Sequence, residues 1–153
     1  MLKFEFGEEN IKMIRKYKDS DIDAILEVWY QASRMAHPFL DADFMGMEKR
    51  KIRDVYIPNT TTWVYEKDDA ILGFISMMGN EVGAIFVRPD MHGKGIGRKL
   101  MDYVATFFDV MEVEVFERNR VGRAFYDKYG FKLVETYIHK ETSNKLLRLK
   151  YRK

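Results

Sequence analysis

The chain has 153 residues, 46% apolar and 14% aromatic, with 26 basic against 24 acidic side chains for a net charge of +2, three histidines and no cysteine. That length supports one self-sufficient core and calls for no second domain, and the balanced charge gives no sign of a nucleic-acid partner. Without cysteine there is no disulfide framework, thiolate metal site or cysteine acyl intermediate, so any acyl transfer is direct or uses an oxygen nucleophile.

In chain order, residues 1–12 lack periodicity and read as an N-terminal extension or an alternative start, leaving a single domain over 13–153. An opening strand is predicted over 11–17. Asp19-Ser20, with Asp23 as a weak capping-box partner, then starts a helix over 20–35, whose apolar residues Ile22, Ile25, Leu26, Val28, Trp29 and Ala32 recur at helical spacing. His37-Pro38 stops it, because proline disfavours helical geometry in the residue before it. A second helix is predicted over 41–56, ended by Ile57-Pro58-Asn59. Strands over 61–66, 71–78 and 82–88 follow, separated by the hairpin-like Asp68-Asp69 and Gly79-Asn80-Glu81. The middle one is apolar almost throughout, as a strand covered on both faces should be. Beyond a glycine cluster, Leu100, Met101, Val104, Phe107 and Phe108 form a helix's buried stripe; a strand over 111–116, a helix over 120–129, and strands over 131–138 and 145–151 complete a mixed α/β sheet of about seven strands with four helices. Met77, Met78, Met101 and Met111 fall on core-facing elements. No run of eighteen apolar residues and no signal-peptide layout occurs, which points to a cytoplasmic protein without a membrane partner.

The glycine cluster carries the chemistry. Val87-Arg88-Pro89-Asp90-Met91-His92-Gly93-Lys94-Gly95-Ile96-Gly97-Arg98 ends a strand and opens a helix. Glycines there let consecutive backbone N–H groups converge on one point, and the free donors of the helix N-terminus aim the same way, which suits phosphate. The spacing excludes a Walker A loop and a dinucleotide fingerprint, since the residue five after Gly93 is Arg98 in both registers. By itself such a cluster is as often a plain tight turn.

Downstream come Glu114-Val115 with Asn119 four residues on, the helix segment Gly122-Arg123-Ala124-Phe125-Tyr126, and Gly130-Phe131. Together with the loop His92 to Gly97 these residues resemble the GNAT superfamily of acetyl-CoA-dependent N-acetyltransferases, whose motifs read Q/R-x-x-G-x-G/A, then E-V-x-x-x-N, A-x-x-F/L-Y and G-F. The likeness covers roughly residues 13–151, and the stretches 36–40 and 63–66 liken it to the YiaC/YjaB-like bacterial branch, some of whose members acetylate protein lysines. One departure is His92, where the family has Gln or Arg.

The resemblance implies acetyl-CoA as cosubstrate, no metal, and direct transfer to a primary amine, of a protein lysine or N-terminus. A small-molecule amine, or a CoA-binding sensor without turnover, is the alternative. It assigns cofactor binding to Ile85, Phe86, Val87, His92, Gly93, Lys94, Gly95, Ile96, Gly97, Arg98 and Asn119, the strand backbone meeting the pantetheine arm and an N–H near Val87 serving the thioester carbonyl. Tyr126 becomes the acid that protonates the leaving thiolate, and Glu114 the base for an amine whose pKa is about 10.4, with Glu81 in reserve. The residues alone also allow plainer roles: Glu112 and Glu114 as a solvated strand face, Tyr126 as a core aromatic, Asn119 as a helix cap, and His37 as a shaper of the loop over the acceptor groove. His37, His92 and His139 are too scattered for a metal site. The protein is expected as a monomer or homodimer.

Overall fold

The computed structural model describes residues 13–153. Its strands are β1 (Ile14–Lys16), β2 (Thr61–Lys67), β3 (Ala70–Met78), β4 (Glu81–Val87), β5 (Val110–Phe116), β6 (Lys132–Ile138) and β7 (Lys145–Arg152); its helices are α1 (Ile22–Ala36), α2 (Ala42–Lys51), α3 (Ile96–Ala105) and α4 (Arg120–Tyr129). Among the described residues the strands form one seven-stranded sheet in the order β1-β2-β3-β4-β5-β7-β6, antiparallel at every junction except β4–β5. This is the expected mixed, mostly antiparallel sheet with four helices. The first two residues of the predicted opening strand, and the N-terminal extension, lie outside the described residues.

Alternation along β3 places the two halves of the core. Ile75 faces α3 and packs with Leu100, Met101 and Val104, whereas its neighbour Phe74 faces α1 and packs with Ile25, Leu26 and Trp29. As expected of a strand covered on both faces, β3 is buried from Leu72 to Met77. Met78 at its end is instead 56% exposed, and Phe107, placed in the buried stripe by periodicity, is 54% exposed because α3 stops at Ala105.

Two helix boundaries differ from expectation. The cap of α1 is not built on Ser20 and Asp23: a 3-10 turn Asp19–Asp21 precedes the helix, and the buried Asp21 carboxylate accepts from the Lys18 amide at 2.8 Å and from the two terminal Arg15 guanidinium nitrogens at 2.9 and 3.0 Å. The long second helix is α2 followed by a wide π-helical turn, Ile52–Tyr56, and a 3-10 turn, Ile57–Asn59. Pro58 has no N–H for Asp54, and its ring crowds that carbonyl. The turn therefore widens until the Ile57 N–H reaches Ile52, and Asn59 Nδ2 takes the Val55 carbonyl at 2.6 Å.

Arg15 holds the Asp21 carboxyl below the ordinary aspartate range. Replacement of Asp21 by alanine should cost about 1–3 kcal/mol in urea unfolding at neutral pH, since it strips a buried acceptor from a guanidinium and an amide. The advantage of wild type should be complete above the ordinary aspartate value of 3.8 and shrink as pH falls below it, because there the unfolded chain already binds the proton that the folded one refuses.

Candidate active site

The site grows out of the one parallel junction. Strands β4 and β5 pair only at Glu81–Glu112 and Val82–Val113, after which β4 stays with β3 and β5 stays with β7. In an antiparallel ladder alternate residues bond to the neighbour. The Arg88 amide donates to the Leu72 carbonyl at 2.8 Å, so Phe86 and Arg88 face β3, and Ile85 and Val87 turn their backbone polar groups toward the gap. His92 Nε2 donates to the Val87 carbonyl at 2.9 Å, which leaves the Ile85 and Val87 amides facing the opening.

Two cavities meet at this gap. The larger, about 440 Å³, lies against the glycine loop and α4 and is lined by Ile85, Val87, His92, Gly93, Gly95, Ile96, Gly97 and Arg98, together with Met91, Val121, Phe125, Tyr126, Lys128 and Tyr129. Gly93 and Gly95 have φ of +79° and +82°, and Gly95 caps α3 in the left-handed conformation, which L side chains rarely adopt. A Cβ on Gly97 would come within 3.2 Å of the Phe125 ring. The loop thus aims amides at open space beside the N-terminus of a ten-residue helix with no acidic residue in its first turn, and the gap supplies strand amides further along. Such a groove fits a ligand with a phosphate at one end and an amide-bearing arm at the other.

The second cavity, about 350 Å³, opens on the α1–α2 side and is lined by Ser33, His37, Glu48, Glu81, Phe86, Glu114, Phe116, Asn119, His139 and Glu141 among others. Four carboxylates reach it. Arg148 on β7 donates to Glu81 at 3.0 Å and to Glu114 Oε1 at 2.9 Å, with Glu112 at 3.7 Å. The Tyr137 hydroxyl also donates to Glu114 Oε1, and burial together with that carboxylate pushes the phenol up to about 12. Burial raises the Glu48 carboxyl above its ordinary value.

Asn119 both caps α4 and reaches across the cavity. Its Oδ1 accepts from the Gly122 amide at 2.8 Å, and its Nδ2 donates to His37 Nε2 at 3.1 Å; His37 Nδ1 then donates to Ser33 Oγ at 2.9 Å. A Cβ on Gly122 would sit 2.6 Å from Asn119 Nδ2, so this cap requires glycine three residues on. Burial holds His37 neutral, at a pKa of about 4, the state that lets Nε2 accept.

Of the residues read from sequence, Ile85 and Tyr126 line both cavities. Tyr126 is 7% exposed, packed edge-on against Phe125 and Phe131, and burial raises its phenol well above the ordinary range; its hydroxyl makes no hydrogen bond among the described residues. Glu114 and Asn119 line the second cavity rather than the loop groove. Phe86 does not join Ile85 and Val87 in the groove, because its backbone is spent on β3 and its side chain lines the second cavity. Lys94 is exposed outside the groove lining, and the His92 ring turns back onto β4. Sequence reading missed Arg148 and Tyr137, which meet Glu114 only through the pairing of β5 with β7, and Glu48, which resembles any polar helix residue. Phe125 and Tyr129, one helical turn apart around Tyr126, were a legible signal for the groove wall. Among the described residues no group of three His, Asp or Glu could hold a metal, and no helix is long and apolar enough to cross a membrane.

The profile of the acetyltransferase (GNAT) domain matches residues 58–133. The chain is 37% identical over 131 residues, 85% of its length and 90% of the relative's, to the peptidyl-lysine N-acetyltransferase YiaC of Escherichia coli (strain K12). It superposes on the solution structure of apo-form YjaB from E. coli with a TM-score of 0.82 at 26% identity, covering 90% of this chain and 95% of that one. The PaiA N-acetyltransferase of Thermoplasma acidophilum, solved in complex with coenzyme A, shares the fold at a TM-score of 0.73 and 21% identity, with 90% and 98% covered.

The His37 arrangement has a pH signature. Its folded pKa of about 4 lies below the ordinary 6.5, so between those values the unfolded chain binds a proton that the folded chain excludes. Stability should therefore be complete above about pH 6.5 and fall by roughly 3 kcal/mol on the way down to pH 4. Urea unfolding of wild type and His37→Gln across that window should show this slope in wild type and its loss in the variant.

Proposed function

This chain belongs to the GNAT family of acetyltransferases and moves acetyl from acetyl-CoA to an amine, and from that premise we propose that the amine is a protein lysine side chain, modified in the cytoplasm. The observation that carries the proposal is the shared wall of the two cavities: Ile85 and Tyr126 border both, and of their two side chains only that of Tyr126 can donate a hydrogen bond to a reacting atom. The amides of Ile85 and Val87 and the loop from Gly93 to Arg98 hold acetyl-CoA, and the carboxylate-lined cavity draws in a cationic side chain. The name of the YiaC relative supports lysine as the acceptor.

Three tasks fall to the chain's own residues. Glu114 takes the amine proton through Oε2, the oxygen that Tyr137 and Arg148 leave without a hydrogen bond, while those two fix the carboxylate's orientation. The Val87 amide steadies the carbonyl oxygen as the C–N bond forms. Tyr126 donates a hydrogen bond to the sulfur as the C–S bond breaks, and CoA leaves as the thiolate, which takes its proton from water. Burial keeps the phenol protonated at any working pH, but also makes it a weaker acid than a thiol near 8.5, so its main contribution is a hydrogen bond to the developing thiolate.

Tyr126→Phe should therefore lower kcat by roughly tenfold to a thousandfold, at the low end of what a general acid contributes, with CoA affinity unchanged. Thiol release on a lysine peptide, beside calorimetry with CoA, is the measurement; wild-type turnover in the variant would remove Tyr126 from the chemistry. Glu114→Gln should lose most activity near neutral pH and recover toward alkaline pH, where free amine is already abundant. A loss that stays constant across that range would make Glu114 a partner of Arg148 and nothing more.

A further inference from the structure

A third cavity of about 400 Å³ lies beside the acceptor site and is lined by Pro38, Phe39, Glu117, Arg118, Arg120 and Arg123. Its charge is lopsided. All three arginines are exposed, and the one carboxylate, Glu117, is already paired with Lys145 at 3.4 Å. Arg118 lies 4.7 Å over the Phe39 ring and Arg123 donates to the Glu117 carbonyl at 3.0 Å, but the Arg120 guanidinium has no partner among the described residues. Arg120 and Arg123 also stand in the first turn of α4, which holds no acidic residue, where the helix dipole disfavours positive charge. An anion bound across them would relieve both penalties.

The position of the groove says whose anion it is. Phe39 packs edge-on against Phe116 and against His37, at ring separations of 5.4 and 5.7 Å, and both Phe116 and His37 line the acceptor cavity. A single aromatic layer thus divides the arginine groove from the acceptor cavity, a distance that two or three extended residues span at about 3.3 Å each. The glycine loop lies elsewhere, and none of these residues lines the loop groove. We propose that the Arg118–Arg120–Arg123 groove binds an aspartate or glutamate two or three residues from the acceptor lysine, making the enzyme selective for lysines with acidic flanks. This rests on the protein-lysine reading above.

The test is kcat/KM by thiol release on lysine peptides with Asp or Glu at the second and third positions on either side, against Asn and Gln counterparts. Wild type should favour an acidic flank roughly three- to tenfold, mainly through KM, with the preference fading in high salt, as expected of exposed charge pairs. Arg120→Glu, which suits a helix first turn, should abolish or invert the preference in favour of basic flanks, while leaving kcat on neutral-flank peptides and CoA affinity unchanged. Equal rates on acidic and neutral peptides, or a preference that survives Arg120→Glu combined with Arg123→Gln, would overturn the proposal. Weaker CoA binding in Arg120→Glu would give the groove to the cosubstrate, and binding of a single-stranded oligonucleotide that Arg120→Glu abolishes would give it to nucleic acid; either result also overturns it. Turnover of polyamines with no lysine peptide accepted at all would instead defeat the lysine reading itself, and this inference with it.

Discussion

Strands β4 and β5 run parallel, hold together at two residue pairs and then part, and the two cavities that meet at the gap depend on that splay. A fully zipped pair would consume the Ile85 and Val87 amides in ladder bonds and close both cavities. The junction itself sets Glu81 opposite Glu112, a like-charge pair that destabilises a sheet unless something neutralises it. Arg148 supplies that charge from β7, within reach of Glu81, Glu112 and Glu114 together. One guanidinium thus pins the apex of the wedge and orients the Glu114 carboxylate.

On the far side of the gap, α4 carries Tyr126, and its first turn is fixed by a chain of short-range requirements. Asn119 caps the helix, Gly122 leaves room for the cap, and His37, kept neutral by burial, accepts from the Asn119 amide while donating to Ser33 on α1. Helix α1 packs on the opposite face of the sheet from α3, so these hydrogen bonds tie the α1 layer to the helix that bears Tyr126. The carboxylates on one side of Tyr126 and the glycine loop on the other give its two faces different partners, as a transfer between two substrates requires.

Sequence made visible the features that depend on local spacing. Gly93 and Gly95 stand where the backbone turns left-handed, Asn119 and Gly122 stand where the cap needs them, and the alternating strands follow each other in the order that periodicity gives. Features set by long-range pairing stayed hidden. Arg148 meets Glu114 only because β7 inserts between β5 and β6, and no pattern within Lys145–Arg152 announces that register. The wide turn after α2 escaped because the apolar spacing continues through it, and only the missing N–H of Pro58 breaks it. Phe86 was misplaced by one step of the same alternation: its neighbours face the gap, and it faces β3.

We propose that the two cavities are the two substrate sites and that they join at Tyr126. A crystal structure with a bisubstrate analogue, CoA linked through its sulfur to the lysine of a short peptide, tests it most directly. The pyrophosphate should lie on the amides of residues 93–98, the pantetheine arm should bond to Ile85 and Val87, the sulfur should sit within hydrogen-bond reach of the Tyr126 hydroxyl, and the peptide lysine should occupy the carboxylate-lined cavity. A CoA moiety lying outside the gap between β4 and β5, or a Tyr126 hydroxyl turned away from the sulfur into the core, would contradict it.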